Sequence, residues 1–229
     1  IAMTEVKFLG WMLNKEGRAA NPEKTRAIDE IPVPKGRKSK SQLSSFLGLA
    51  SFYRTLIKDF SKITARLYDL LKLRGSNIEH AWTDAHQADW EDLKQAFKSE
   101  PILIHPDYEK PFIVKTDCSK THAGAILCQI VDGQEHVVEY ASTKLDPTQQ
   151  KWHLTHLEGF AIVWALRKWR RYLEGRHDTK VITDHKALLF IRHNQYSDAS
   201  HKLIRWMTFI DTFDVKFEHR HDVDHGDVD

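Results

Sequence analysis

At 229 residues, with 41% hydrophobic and 29% charged side chains, the chain fits one large or two ordinary globular domains, which excludes a disordered polypeptide. No apolar run is long enough to cross a bilayer, and the first residues read as a cut into a longer polypeptide, not as a signal peptide. Two cysteines, Cys118 and Cys128, exclude a disulfide framework or a cysteine zinc cluster, and a net charge of +2 leaves the distribution of charge as the informative quantity.

In chain order, Asn21-Pro22-Glu23 predicts a helix start, because Asn caps and Pro needs no N–H in the first turn; Pro32 and Pro34 end that helix. Ser39 and Gln42 have capping-box spacing ahead of Leu43, Phe46, Leu47, Leu49, Ala50 and Tyr53. A helix after Ser61 carries Ile63, Leu67, Leu70 and Leu71 on one face. From Lys15 to Arg74 there are 14 Lys/Arg against 6 Asp/Glu, so these helices form a basic surface that attracts phosphate; the plainer reading is a solvated lysine-rich face. Thr83 caps a further helix with Trp90, Leu93, Ala96 and Phe97 at helical spacing, ended by Glu100-Pro101. After a boundary near residues 100–110, three strands follow at 112–117, 123–130 and 136–143, with Asp132-Gly133 turning the second hairpin. A long helix from Trp152 to Leu173 has a core stripe of Leu157, Phe160, Ala161 and Trp164. A strand at 180–184, a helical region around 186–210 and a strand at 214–220 complete the order. This is a mixed sheet with packed helices, in which a right-handed crossover permits strand 180–184 to lie beside strand 112–117.

Four acidic residues stand out in that frame. Asp117 and Asp184 close the apolar runs Phe112-Ile113-Val114-Lys115-Thr116 and Val181-Ile182-Thr183. Glu158 lies on the long helix between them, and Asp229 ends an acidic segment after the last strand. Carboxylates are hard oxygen ligands suited to Mg²⁺ or Mn²⁺, and a strand end is a rigid place from which to aim one. Taken singly, each reads equally as solvated surface; their order in the fold pattern is what makes them a set.

Several long motifs then resemble one known family. FIVKTDCSKTHAGAILCQ, VVEYASTKL, THLEGFAIVWALRKWRRYL, VITDHKALL and the pair Arg205-Trp206 resemble the ribonuclease H domain of gypsy-type LTR-retrotransposon reverse transcriptases. VKFLGWMLNKEG, NPEKTRAIDEIPVP and SQLSSFLGLASFYRTLIKDFSKITARLYDLLK resemble the end of that family's palm and its thumb, and AWTDAHQADWEDLKQAFKSEPIL its connection. The resemblance implies a primer-grip-like hairpin over 1–20, a thumb over 21–75, a connection over 76–110 and a ribonuclease H-like domain over 111–229 with a mixed five-stranded sheet. It implies an endonuclease that cuts the RNA strand of an RNA/DNA hybrid with two Mg²⁺ ions, Mn²⁺ able to substitute, held by Asp117, Glu158, Asp184 and Asp229. It further implies a template-primer duplex as partner, gripped by Arg37, Lys38, Lys40, Arg54 and Lys58 and by Trp11 of the hairpin, although Trp11 also reads as strand packing. The polymerase aspartates would lie before Ile1. A retroelement particle in the cytoplasm, or the nucleus, is the expected setting, and a homodimer is left open.

The chain departs from the family where a Pro-Gly turn is usual, reading His219-Arg220-His221-Asp222-Val223-Asp224-His225-Gly226-Asp227. His219 or His225 is placed to transfer a proton to the leaving group, the segment has zinc-binding residue types, and its plainest reading is a wet polar loop. Asp229 stands at the chain end without the helix that normally follows it. The competing function is a nucleic-acid-binding or assembly module whose nuclease is idle. Trp169 and Tyr172, beside Arg170 and Arg171, read as packing residues.

Overall fold

A computed structural model describes residues 4–99, 102–184 and 200–219. The chain divides into two compact units, one built on the first 105 residues together with Glu139–Ser142 and the other on the rest.

In the first unit, β1 (Glu5–Phe8), β2 (Trp11–Asn14), β3 (Gly17–Ala20) and β4 (Leu103–Ile104) form an antiparallel sheet in that order. Helix α1 (Pro22–Glu30) begins as the sequence predicts, with Asn21 accepting the Glu23 N–H at 3.0 Å and Pro22 in the first turn. Its last carbonyls are closed by a side chain: Lys94 Nζ donates to Asp29 O at 2.8 Å and Ile31 O at 2.6 Å, a cation at the negative helix end. Helix α2 (Ser39–Phe52) corrects the expected capping box. Its N-cap is Lys38, with no side-chain cap. Ser39 is fully buried and is drawn away, accepting the Ile78 N–H at 2.9 Å, while Gln42 accepts the Lys35 N–H at 3.1 Å. Helix α3 (Phe60–Leu71) buries Phe60, Thr64, Leu67 and Leu70; Ile63 and Leu71 are only half-buried, so the inward stripe lies one residue round from the predicted one. Helix α4 (Asp84–Lys98) packs on α1 and α3 and does carry a capping box, formed by Thr83 and His86. Phe46 stacks on Trp90 at 3.9 Å between ring centres, anchoring this core.

A five-stranded sheet, in the second unit save for Glu139–Ser142 of β7, consists of β5 (Ile113–Cys118), β6 (His122–Val131), β7 (Gln134–Lys144), β8 (Lys180–Thr183) and β9 (Lys216–His219) in the spatial order β7-β6-β5-β8-β9. The turn from β6 to β7 places Asp132 at φ 52° and Gly133 at φ 80°, two successive left-handed residues, as the Asp-Gly pair predicts. β5 pairs antiparallel with β6 and parallel with β8, and β8 pairs parallel with β9, so the sheet is the expected mixed five-stranded one. Between β5 and β8 in sequence comes α5 (Leu154–Lys168). It is shorter than predicted, because the chain turns at Trp169, whose indole is fully buried, before the short α6 (Arg170–Leu173). Trp164 is half-buried and leaves the core stripe to Leu157, Ala161, Ile162, Ala165 and Leu166. α5 is buried on nearly every side because β5 lies on one flank and α7 (His201–Asp211) on another. Gly159 permits that approach: a Cβ there would sit 3.2 Å from Trp206 and 3.3 Å from Leu203 of α7. Tyr172 packs on Phe112 at 5.9 Å between ring centres, a packing role like that of Trp169.

Candidate active site

The parallel ladder of β5 and β8 decides where two of the candidate carboxylates stand. Its register pairs Val114 with Val181 and Lys115 with Ile182. Asp117 and Asp184 each lie two residues beyond that last pair, at the same end of adjacent strands. The strand ends differ slightly from expectation: β5 continues through Asp117 to Cys118, while β8 stops at Thr183, leaving Asp184 just outside. Asp117 is exposed on its strand opposite Gly124 of β6.

Glu158 sits in the first half of α5 and is buried to 3% exposure. Its helix packs over β5, where Cys118, Ala123, Leu145, Leu157 and Ala161 form a common apolar cluster. The thiol of Cys118 reports the carboxylates around it. Burial pushes its pKa up to about 12, and the negative charges of Glu158 and then Asp117 push in the same direction. Asp117 and Glu158 therefore share one electrostatic neighbourhood at the end of β5.

Asp184 adds a different signal. Its Oδ1 is buried and has no hydrogen-bond partner among the described residues. Buried oxygens of this kind are rare because desolvation costs about 1–3 kcal/mol when it is not compensated. Its main-chain carbonyl is held, accepting from His219 Nε2 at 2.9 Å. His219, half-buried at the end of β9, thus lies at the site, with one ring nitrogen already engaged. Asp229 and His225 lie outside the described residues. As placed, no three His, Cys, Asp or Glu side chains among the described residues form a group able to hold a metal ion. The donor chemistry of Asp117, Glu158 and Asp184 nonetheless suits a hard divalent cation.

Residues 107–213 match the model of the RNase H-like domain found in reverse transcriptase. This part of the chain is similar to that family. Over 93% of its length the chain is 34% identical to the retrovirus-related Pol polyprotein from transposon opus of Drosophila melanogaster, covering 22% of that protein. It is 33% identical over 92% of its length to the Pol polyprotein from transposon gypsy of the same fly, covering 20%. A Tf2-3 transposon polyprotein of Schizosaccharomyces pombe is 31% identical over 95% of the chain, covering 16% of the polyprotein. The chain thus spans about a fifth of the length of the first two relatives and less of the third. Among solved structures, the foamy viral protease-reverse transcriptase with an RNA/DNA hybrid matches at TM-score 0.76 and 25% identity, covering 96% of this chain and 29% of that one. A form of the same viral enzyme with double-stranded DNA matches at TM-score 0.77 and 25% identity, covering 94% and 38%. Strands β5 to β8 and helix α5 lie within the residues that match the RNase H-like domain.

The basic candidates fall in the first unit in different settings. Arg37, Lys38 and Lys58 are exposed. Lys40 Nζ donates to Leu73 O at 2.7 Å, closing the end of α3, and the Arg54 guanidinium lies 5.5 Å from the centre of the Phe60 ring. Trp11 is half-buried and packs edge-on to Tyr53 at 5.3 Å, with Arg18 over its ring at 5.4 Å. Sequence reasoning missed the part of Gly159, whose signal was a glycine inside an otherwise strong helical pattern. Among the described residues, no helix is long and apolar enough to cross a membrane.

Proposed function

We propose that the chain is the ribonuclease H part of a retroelement reverse transcriptase and hydrolyses the RNA strand of an RNA/DNA hybrid at Asp117, Glu158 and Asp184, with Asp229 as the fourth ligand. The observation that carries this reading is the buried Asp184 oxygen, without a hydrogen-bond partner among the described residues, at the strand end beside Asp117 in a domain similar to the RNase H-like family. Two Mg²⁺ ions, with Mn²⁺ able to substitute, would supply Lewis acidity and an activated water when bound there. The chain's own contribution is to hold the carboxylates on rigid elements: Asp117 on β5, Glu158 on a helix buried on nearly every side, and Asp184 at the end of β8. Burial of Glu158 strengthens the field of its own carboxylate.

The first unit is proposed to be the end of the palm, the thumb and the connection, gripping a template-primer duplex through Arg37, Lys38 and Lys58. A retroelement particle is the proposed setting, and a homodimer the proposed assembly. The foamy viral relative solved with an RNA/DNA hybrid supports the choice of substrate.

A second reading, an idle nuclease retained for nucleic-acid binding or assembly, is favoured by one observation: the described carboxylates do not form a ready metal-binding group. Incubation of the chain with a labelled RNA/DNA hybrid and Mg²⁺ separates the two. Cleavage of the RNA strand supports the nuclease; tight binding with an intact RNA strand at all Mg²⁺ and Mn²⁺ concentrations supports the module.

A further inference from the structure

The β8–β9 ladder ends at the pair Thr183–His219. Asp184 is the next residue, and its main-chain carbonyl accepts from the His219 ring, with Nε2 at 2.9 Å from Asp184 O. A carbonyl oxygen only accepts, so Nε2 carries the hydrogen and donates it. The contact places a hydrogen on Nε2 and commits that ring nitrogen to the Asp184 carbonyl.

We propose that His219 is a positioning residue for Asp184: it clamps the main chain that carries the carboxylate and does not transfer the proton. This inference rests on the reading of Asp184 as a metal ligand given above. The clamp acts on the backbone and leaves the carboxylate unspent, and Asp184 Oδ1 is indeed buried with no hydrogen-bond partner among the described residues. Supporting contacts of this kind fix a ligand's orientation before the ion arrives, which lowers the ordering cost of binding. A half-buried imidazole on a strand end is a stiff donor for the purpose.

The test compares the full chain with His219→Gln and His219→Phe. A glutamine amide donates to the same carbonyl but cannot carry a proton at neutral pH; phenylalanine fills the space and donates nothing. Three measurements are made: Mn²⁺ affinity by electron paramagnetic resonance, cleavage of a labelled hybrid across Mn²⁺ concentrations, and the tautomer of His219 by ¹⁵N NMR, assigned by its loss in His219→Gln. The clamp predicts that His219→Phe weakens Mn²⁺ binding by about tenfold, a typical effect of removing a group that supports a metal ligand. Half-maximal cleavage then moves to correspondingly higher Mn²⁺, while the rate at saturating Mn²⁺ is largely kept. His219→Gln restores both quantities to within about threefold of the native chain, on the same grounds. Equal Mn²⁺ affinity in all three chains, with cleavage lost equally in both variants, would overturn the clamp in favour of proton transfer. A native chain that neither binds Mn²⁺ nor cleaves would sink the metal-site reading, while the clamp would still stand or fall on the NMR: hydrogen on Nδ1 in place of Nε2 refutes it.

Discussion

Substituting Gly159 by valine probes the packing that holds Glu158. A Cβ at this position already lies 3.2 Å from Trp206 and 3.3 Å from Leu203, closer than the ~3.5–4.0 Å of an optimal carbon contact. Alanine gains about 1 kcal/mol of helix propensity, which offsets the squeeze and leaves that variant near neutral. Valine recovers only a few tenths of a kcal/mol of propensity and adds two methyl groups at about 1–3 kcal/mol of overpacking. The net cost of about 1–2.5 kcal/mol corresponds to a fall of about 4–10 °C in the melting temperature of a unit of this size. Thermal unfolding by circular dichroism gives the shift, and hydrogen exchange shows where protection falls, which should be in α5 and α7. Because Glu158 immediately precedes the glycine, hybrid cleavage should fall in Gly159→Val even at temperatures where the chain is fully folded. A valine variant with native melting, native protection of both helices and native cleavage would refute the argument that α5 and α7 meet at Gly159.

Asp117→Asn and Asp184→Asn should each abolish hybrid cleavage while hybrid affinity in a filter-binding assay changes little; cleavage surviving both removes the carboxylate assignment. Asp229→Asn should instead raise the Mg²⁺ concentration needed for half-maximal cleavage, and an unchanged metal titration would exclude it as a ligand. Neutralising Arg37, Lys38 and Lys58 together should flatten the slope of log affinity against log salt by about 0.9 for each duplex phosphate left without its cation, equally for different sequences. Neutralising Lys40 should chiefly lower stability, since its ammonium holds Leu73 O; a large change in salt slope from Lys40→Ala alone would contradict that division. Arg66→Ala strands the buried Asp89 carboxylate, whose oxygens accept from Arg66 Nε at 2.7 Å and from Nη2, and should cost about 1–3 kcal/mol in denaturant unfolding. Restored stability in Arg66→Ala/Asp89→Ala would show that the penalty comes from the orphaned charge.

The order of elements was legible from periodicity and punctuation. Asn21-Pro22 started α1 and Asp132-Gly133 made a left-handed turn because both outcomes are settled within three or four residues. The same holds for Thr83 at the head of α4, although the partner in its capping box, His86, is not the usual acid or amide. The strand-ending aspartates were visible because a run of β-branched residues stops at a carboxylate. Local rules failed where a distant group competed. Ser39 had the spacing of a cap, but its hydroxyl serves the Ile78 N–H, 39 residues away. The helix predicted to run to Leu173 breaks at Trp169, because burying that indole needs a turn that periodicity does not record. Lys40 and Arg54 counted as charge in the sequence, but one closes a helix and the other lies on an aromatic ring. The sequence by itself determined which residue types can bind a hard cation and which segments carry them, since both are properties of single residues and short windows. Only the tertiary structure decided that β8 returns parallel to β5 at a register that brings Asp117 and Asp184 to the same strand ends, and that His219 reaches the Asp184 carbonyl. Those contacts join residues tens of positions apart, and the packing that selects them is a sum over the whole core.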